Sequence, residues 1–139
     1  MEEAMIQAQV MAARLACGRM TARHLGALQA SMERACGLAG GSEWDSKATA
    51  HAEIYGLLAD VADEPVLAPM LQDGAGHVRE LLVAVGRVAD GMVVSSRRRL
   101  LAHLRAGDGE GAALEMERHL RVLHYMWRLA RRPVGATQT

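Results

Sequence analysis

The stretch LLAHLRAGDGEGAALEMERHL, from Leu100 to Leu120, decides the fold. Apolar residues recur every three or four positions on both sides of its centre, which is the period of an amphipathic helix. Gly107 is suited to end one helix, and Asp108 is suited to cap the next. The stretch therefore predicts two helices joined by a tight turn, the first from about Val93 to Ala106 and the second reaching Arg132.

Four more helices are predicted before this pair. Their expected bounds are about Glu2 to Cys17, Thr21 to Cys36, Ser42 to Ala62, and Pro65 to the residue before Gly91. The second and third helices begin at good N-cap residues, and the fourth has a proline in its first turn. Pro69, Gly74 and Gly76 predict that the fourth helix is kinked or split.

The composition supports an all-helical fold. The chain has 139 residues, half of them hydrophobic, which suits one domain with a sizeable core. β-Branched residues in alternating patterns are scarce, so strands are not expected. Helices of this length joined by short loops predict an all-α fold, an antiparallel bundle of about six helices. A bundle does not by itself indicate a function.

Charge and cysteine content narrow the function classes. Basic and acidic residues balance at 16 each, which argues against nucleic acid as the main partner because phosphate binding needs clustered positive charge. Cys17 and Cys36 are expected at opposite ends of a helical hairpin, so we expect free thiols and a reducing compartment. The sequence has no signal-peptide pattern and no apolar run of membrane-spanning length. It predicts a cytoplasmic protein with no membrane partner.

Basic side chains interrupt the apolar faces of three helices. His51, Arg97 and His119 occupy positions where the helical period requires core residues, and Lys47 lies one turn before His51 beside the same stripe. The neighbours of Arg97, namely Arg98 and Arg99, are expected to point elsewhere. His103 and His124 stand beside charged residues and are expected to be exposed.

Each of these positions alone has an ordinary structural explanation. A single histidine on an apolar face is more often a hydrogen-bonded core residue than a ligand, and a single inward arginine usually pairs with a carboxylate or extends to solvent. Three such positions are harder to explain, because burying unpartnered polar groups is costly. Asp45 and Glu53 fall off the stripe, which leaves a bound anion, a metal or water as partners of Arg97. No nucleophile accompanies the histidines, so the chain is not predicted to be an enzyme.

Three stretches together resemble the FCD domain, the C-terminal effector-binding and dimerising domain of the FadR branch of GntR transcription regulators. They are AQVMAARLACGRMTARHLGAL from Ala8 to Leu28, HAEIYGLLADVADEPVL from His51 to Leu67, and the opening stretch from Leu100 to Leu120. They resemble, in order, the family's first helical hairpin, its histidine-containing helix with the following break, and its final hairpin. The resemblance covers residues 3–132, and residues 133–139 are expected to form a flexible tail.

The resemblance also implies where a metal site would lie. In many family members one aspartate and three histidines bind a divalent metal inside the bundle. His51 and His119 match the first and last histidines, whereas Lys47 takes the position of the aspartate and Arg97 that of the middle histidine. A first-helix arginine that often holds the effector carboxylate corresponds to Met5. Two lost ligands and two added positive charges make a poor metal site, so no bound metal or other cofactor is expected.

The resemblance implies a ligand-sensing domain that forms homodimers and acts on DNA only through a winged-helix module absent from this sequence. Our hypothesis for the site is that Lys47 and Arg97 hold a small anionic, carboxylate-like effector, with His51 and His119 beside it. The chain is then either a piece of a longer regulator or a stand-alone relative. The alternative function is a structural or interaction bundle with a vestigial pocket, in which the basic side chains pair with carboxylates.

Overall fold

A computed structural model describes residues 2–37 and 44–131 of the chain. Within these residues the protein forms six α-helices and no strand, as the sequence predicts. The helices are α1 (Glu2–Arg19), α2 (Ala22–Gly37), α3 (Trp44–Ala62), α4 (Ala68–Val85), α5 (Asp90–Arg105) and α6 (Gly109–Arg131). A short 3-10 helix, Arg87–Ala89, links α4 to α5. Each described helix is too short or too polar to span a membrane.

Two helix starts are capped as the sequence predicts. The Thr21 hydroxyl accepts a hydrogen bond from the backbone N–H of His24 at 3.2 Å, and the Thr21 N–H donates to Nδ1 of His24 at 3.1 Å. Asp108 accepts a hydrogen bond from the Gly111 N–H at 2.9 Å, directly after Gly107 turns the chain with φ +70°. The third predicted cap, Ser42, and the predicted tail, residues 133–139, lie outside the described residues.

The predicted bounds of α4 are wrong at both ends of the helix. Pro65 lies in a turn before the helix, and Pro69 occupies the first helical turn instead, where a missing N–H costs nothing. The helix continues without interruption through Gly74, so it is not split there. It ends at Val85 rather than near Gly91, because Gly86 adopts a left-handed φ of +83° that stops the helix.

Two packed helix pairs and α1 enclose the core. α3 packs along α4 and α5 packs along α6, and the short connections make each pair antiparallel. α1 lies against α3, α4 and α6. α2 packs on α3 and α5 and makes hardly any contact with α1, so the first two helices do not form the predicted packed hairpin. Cys17 and Cys36 are free thiols, as predicted.

The first turns of α3 and α5 meet at one end of the bundle. Trp44, the first residue of α3, donates a hydrogen bond from its indole N–H to the backbone carbonyl of Leu82 at 2.8 Å, which fixes α3 to the last turn of α4. The 3-10 helix then leads into α5, which begins at Asp90. This arrangement brings Asp90 next to Lys47, one turn into α3.

Candidate functional site

All four predicted site residues face the interior. Lys47, His51, Arg97 and His119 are between 0% and 3% exposed, and they come from α3, α5 and α6. Charged residues near them in the sequence lie on the outside of the helices, as the helical period predicts. Four charged side chains that were expected off the apolar faces, Asp45, Glu53, Arg98 and Arg99, are exposed. The interior of the bundle therefore holds a basic cluster, made of Lys47, His51, Arg97 and His119.

Arg97 contacts two groups of α3. Its Nη2 donates a hydrogen bond to the backbone carbonyl of His51 at 3.3 Å, and its Cζ lies 5.0 Å from the centre of the Tyr55 ring. The Tyr55 ring is stacked beside the His119 imidazole at 6.2 Å between centroids. Among the described residues no carboxylate forms an ion pair with Arg97, and its Nε has no hydrogen-bond partner. The partners of this buried positive charge among the described residues are thus a backbone carbonyl and an aromatic face.

Lys47 has a carboxylate partner that the sequence did not reveal. Its Nζ lies 2.6 Å from Oδ1 of Asp90, in an ion pair whose angles are not those of a hydrogen bond. Asp90 is the first residue of α5, where its carboxylate also faces the positive end of the helix dipole. The alternative in which an inward basic side chain pairs with a carboxylate therefore applies to Lys47, whereas among the described residues it does not apply to Arg97.

The two histidines of the cluster are neutral. Burial, reinforced by the charges of Arg97 and Lys47, lowers the pKa of His51 to about 3. Burial and the charge of Arg97 likewise hold the pKa of His119 well below its usual range. Each imidazole therefore offers one N–H donor and one lone pair at neutral pH. None of the four ring nitrogens has a hydrogen-bond partner among the described residues, and such unsatisfied buried groups are uncommon in folded proteins.

The sequence analysis missed two further buried polar side chains: Tyr55, which lies beside Arg97 and His119, and Gln9, which lies beside Gly74 of α4. Tyr55 is 0% exposed, its hydroxyl has no hydrogen-bond partner among the described residues, and burial raises its pKa. Gln9 of α1 is 2% exposed, and neither atom of its amide has a partner there. Tyr55 lies on the apolar face of α3, where its hydroxyl is the signal that could have found it. The small residues of α1 gave no clear apolar face against which Gln9 stood out.

His124 is buried, and its prediction as an exposed residue is wrong. Its side chain is 4% exposed, because α6 turns this position toward α4 rather than toward solvent. The Nε2 atom of His124 lies 3.2 Å from Nε2 of His77, a residue that the sequence analysis did not single out. His103, in contrast, is partly exposed and pairs with Asp108 at 3.0 Å.

A cavity between α2 and α5 reaches Arg97. Its volume is about 380 Å³, and it is lined by Arg97 and Arg98 on α5 and by residues of α2 that include Glu33. Lys47, His51 and His119 line neither this cavity nor the four others found among the described residues. The nitrogens of the two histidines are therefore enclosed, and a ligand entering from the α2 side meets Arg97 first.

The donor set of the basic cluster does not fit a divalent metal. Only His51 and His119 supply lone pairs, while Arg97 and Lys47 bring positive charge to the same space. A dication needs neutral or anionic ligands and is repelled by such charges. Within residues 2–37 and 44–131, no three histidine, cysteine or acidic side chains are grouped as a metal site. The absence of a metal at His51 and His119 stays a prediction.

Comparison with known proteins and protein families gives one match, to a family model. The model of the FCD domain family matches residues 3–122. The matched region runs from the first turn of α1 into the second half of α6, so it contains all four residues of the basic cluster. No curated protein and no solved structure matches the chain.

Proposed function

Because this chain belongs to the FCD domain family, the C-terminal effector-binding domains of GntR-family regulators, we propose that it senses a small anionic effector through Arg97. Proteins of this family are regulators rather than enzymes. The observation that carries the proposal is the burial of Arg97, which is 1% exposed and has no carboxylate partner among the described residues.

An uncompensated buried guanidinium is costly, and a bound anion removes that cost. Arginine presents its N–H donors in a fork that matches the two oxygens of a carboxylate or the oxygens of a phosphate. Arg97 uses Nη2 on a weak contact with the carbonyl of His51 and leaves Nε free, so donors remain for a ligand. A carboxylate-like effector supplies both the missing charge and the missing acceptors.

The remaining cluster residues support this role in different ways. His51 and His119 are neutral, so they can donate to an effector or accept from its hydroxyl groups. Lys47 adds a second positive charge near His51, but Asp90 already balances it. We therefore propose that Arg97 is the main anchor of the effector and that Lys47 contributes a weaker, longer-range electrostatic attraction. The cavity between α2 and α5 is the proposed entrance, and the enclosed histidines require a local opening when the effector binds.

Anion-dependent stabilisation tests this proposal. The purified chain is titrated with inorganic phosphate and a panel of small mono- and dicarboxylates, and thermal denaturation and calorimetry report binding. A ligand at about 100 times its Kd adds about 2.7 kcal/mol to the free energy of unfolding. Arg97→Gln is expected to weaken binding of the responding anion at least tenfold, since it removes a buried charged partner. Arg23→Gln, at an exposed arginine of α2, is the matched control. Equal binding by wild type and Arg97→Gln would refute the role of Arg97.

The alternative function is a structural or interaction bundle with a vestigial pocket. The ion pair between Lys47 and Asp90 favours it, because it shows that one of the two basic residues already has a partner. The same titrations separate the two functions. A vestigial pocket predicts that no anion of the panel stabilises wild type more than it stabilises Arg97→Gln.

We also propose that the domain forms a homodimer through the outer face of α6. Four exposed apolar side chains form a stripe along this face: Leu114, Val122, Tyr125 and Leu129. Their spacing of eight, three and four residues repeats the helical period, so they share one side of the helix. A stripe of this kind fits a second copy of itself in a two-fold interface. Tyr125→Glu is expected to convert a dimer to a monomer in sedimentation experiments, whereas Val66→Glu, at an 85% exposed residue outside α6, leaves the dimer intact.

A further inference from the structure

A pair of histidines lies on the other side of α6 from this stripe. His77 of α4 and His124 of α6 approach each other through their Nε2 atoms, which are 3.2 Å apart. The two rings are tilted by 34°, with 5.3 Å between their centroids. His77 is half-buried and His124 is buried. The basic cluster does not include either residue, and the proposed effector role does not use them.

The backbone fixes the tautomer of the neutral His124 ring. Its Nδ1 lies 2.8 Å from the carbonyl oxygen of Leu120. A carbonyl only accepts, so Nδ1 carries the proton and Nε2 of the neutral ring carries a lone pair directed at His77. Metal-binding histidines have this arrangement, in which one nitrogen donates to a carbonyl or carboxylate and the other binds the ion.

The spacing of the two nitrogens suits one metal ion. Two ligands about 2.0–2.1 Å from a tetrahedral zinc are roughly 3.3 Å apart, and the two Nε2 atoms are 3.2 Å apart. In the ion-free conformation His77 donates its Nε2 proton to His124. Metal binding requires His77 to lose that proton from Nε2 and take one at Nδ1 from water, so its net charge does not change.

One carboxylate lies close to the pair, and a second lines the same cavity. Oε1 of Glu2 is 3.8 Å from Nε2 of His124, and Arg128 holds the same carboxylate through contacts of 2.9 and 3.1 Å. Asp73 precedes His77 by one helical turn and lines the same cavity of about 700 Å³ as Glu2, His77 and His124. This cavity gives an ion a path to both imidazoles.

We propose that His77 and His124 form a binding site for a divalent transition metal such as zinc, completed by Glu2 or Asp73. Neutral imidazole and carboxylate are ligands that zinc prefers, and the nearby positive charge of Arg128 is paired with the Glu2 carboxylate. No three such side chains of the described residues already surround one position. The proposed site therefore consists of the two Nε2 atoms, which are already in position, and of a carboxylate that completes the coordination when the ion binds.

Metal titration of the intact chain tests the proposal. The protein is stripped with a chelator, and Zn²⁺ binding is measured in competition with a chromophoric chelator. Co²⁺ then serves as a spectroscopic probe, because nitrogen and oxygen ligands in tetrahedral geometry give a distinct visible absorption. We expect one tightly bound equivalent per chain and at least tenfold weaker binding in His77→Ala. His103→Ala, which removes a partly exposed imidazole at the other end of the chain's last hairpin, is the matched control and is expected to bind as wild type does.

Further variants identify the residues that bind the ion. His124→Gln is expected to abolish binding, and Asp73→Asn or Glu2→Gln to weaken it several-fold. Because substitution of the buried His124 also removes packing, the variant His77→Ala, at a half-exposed residue, decides the outcome. Zinc binding that His77→Ala leaves unchanged, or that disappears in His51→Ala but not in His77→Ala, overturns the proposal. Neither result bears on whether anions bind at Arg97, so the two proposals fail independently.

Discussion

Lys47 and Asp90 form an ion pair that joins α3 to the first turn of α5. The distance from Nζ to Oδ1 is 2.6 Å, the side chain of Lys47 is only 4% exposed, and that of Asp90 is 35% exposed. A lysine this deeply buried needs a partner, since an unpaired buried charge costs several kcal/mol. The pair also explains why a lysine is tolerated at a position where the FCD domain resemblance places an acidic metal ligand.

The first prediction concerns this ion pair. Asp90→Asn leaves the ammonium of Lys47 buried without a counter-charge, and we expect the free energy of unfolding in urea to fall by about 2 kcal/mol. The value is set below the roughly 3–5 kcal/mol of fully buried pairs because Asp90 keeps contact with water. Asp45→Asn, at an exposed acidic residue in the first turn of α3, should change stability by less than about 0.5 kcal/mol. Equal effects of the two variants would mean that the ion pair contributes little.

The second prediction concerns the stability cost of Arg97. Arg97→Met removes a buried charge that has no carboxylate partner within residues 2–37 and 44–131, and it fills the space with an apolar side chain. The carbonyl of His51 lies within α3 and keeps its helical hydrogen bond. We therefore expect the free energy of unfolding to be unchanged or higher, by up to about 4 kcal/mol, together with loss of the anion response. A clear loss of stability in urea denaturation would instead identify Arg97 as a structural residue.

Helical periodicity predicted that the side chains of the basic cluster face the interior. It could not predict which residues of other helices they contact. His51, Arg97 and His119 fall within apolar stripes, and a stripe that is buried carries its polar members inside. Asp90 was assigned to the predicted fourth helix, because Gly86 gave no sequence signal strong enough to end that helix at Val85. An ion pair between two helices depends on their relative placement, which local patterns do not contain. His124 was misjudged for the same reason, since its charged neighbours on α6 concealed its contact with α4.

The third prediction uses the lowered pKa of His51. In the unfolded chain a histidine titrates near pH 6.5, whereas in the folded protein the pKa of His51 is about 3. Between these values the unfolded state binds the extra proton, so the stability contributed by the neutral ring is complete above about pH 6.5 and is lost as the pH falls toward 3. Wild type should lose up to about 1.4 kcal/mol per pH unit more than His51→Gln does in this window.

Urea denaturation at a series of pH values measures this slope independently of the starting stability of each variant. Ser95→Ala, at an exposed residue of α5 that does not ionise, serves as the control, and its slope should follow that of wild type. Parallel slopes for wild type and His51→Gln would show that His51 is not held neutral by the fold.

The last prediction concerns the contact between Gly74 of α4 and Gln9 of α1. A β-carbon on Gly74 would lie 2.6 Å from Nε2 of Gln9, and the cavity beside both residues has only about 10 Å³. Alanine normally stabilises a helix interior by up to about 1 kcal/mol relative to glycine. Gly76→Ala should show that gain, because a β-carbon there meets nothing within 4 Å. Gly74→Ala should show less of this gain, since the Gln9 amide must first shift away from the new β-carbon. Adding Gln9→Ala should restore the gain if the amide is the cause, whereas additive effects would place the cause elsewhere in the packing of α4.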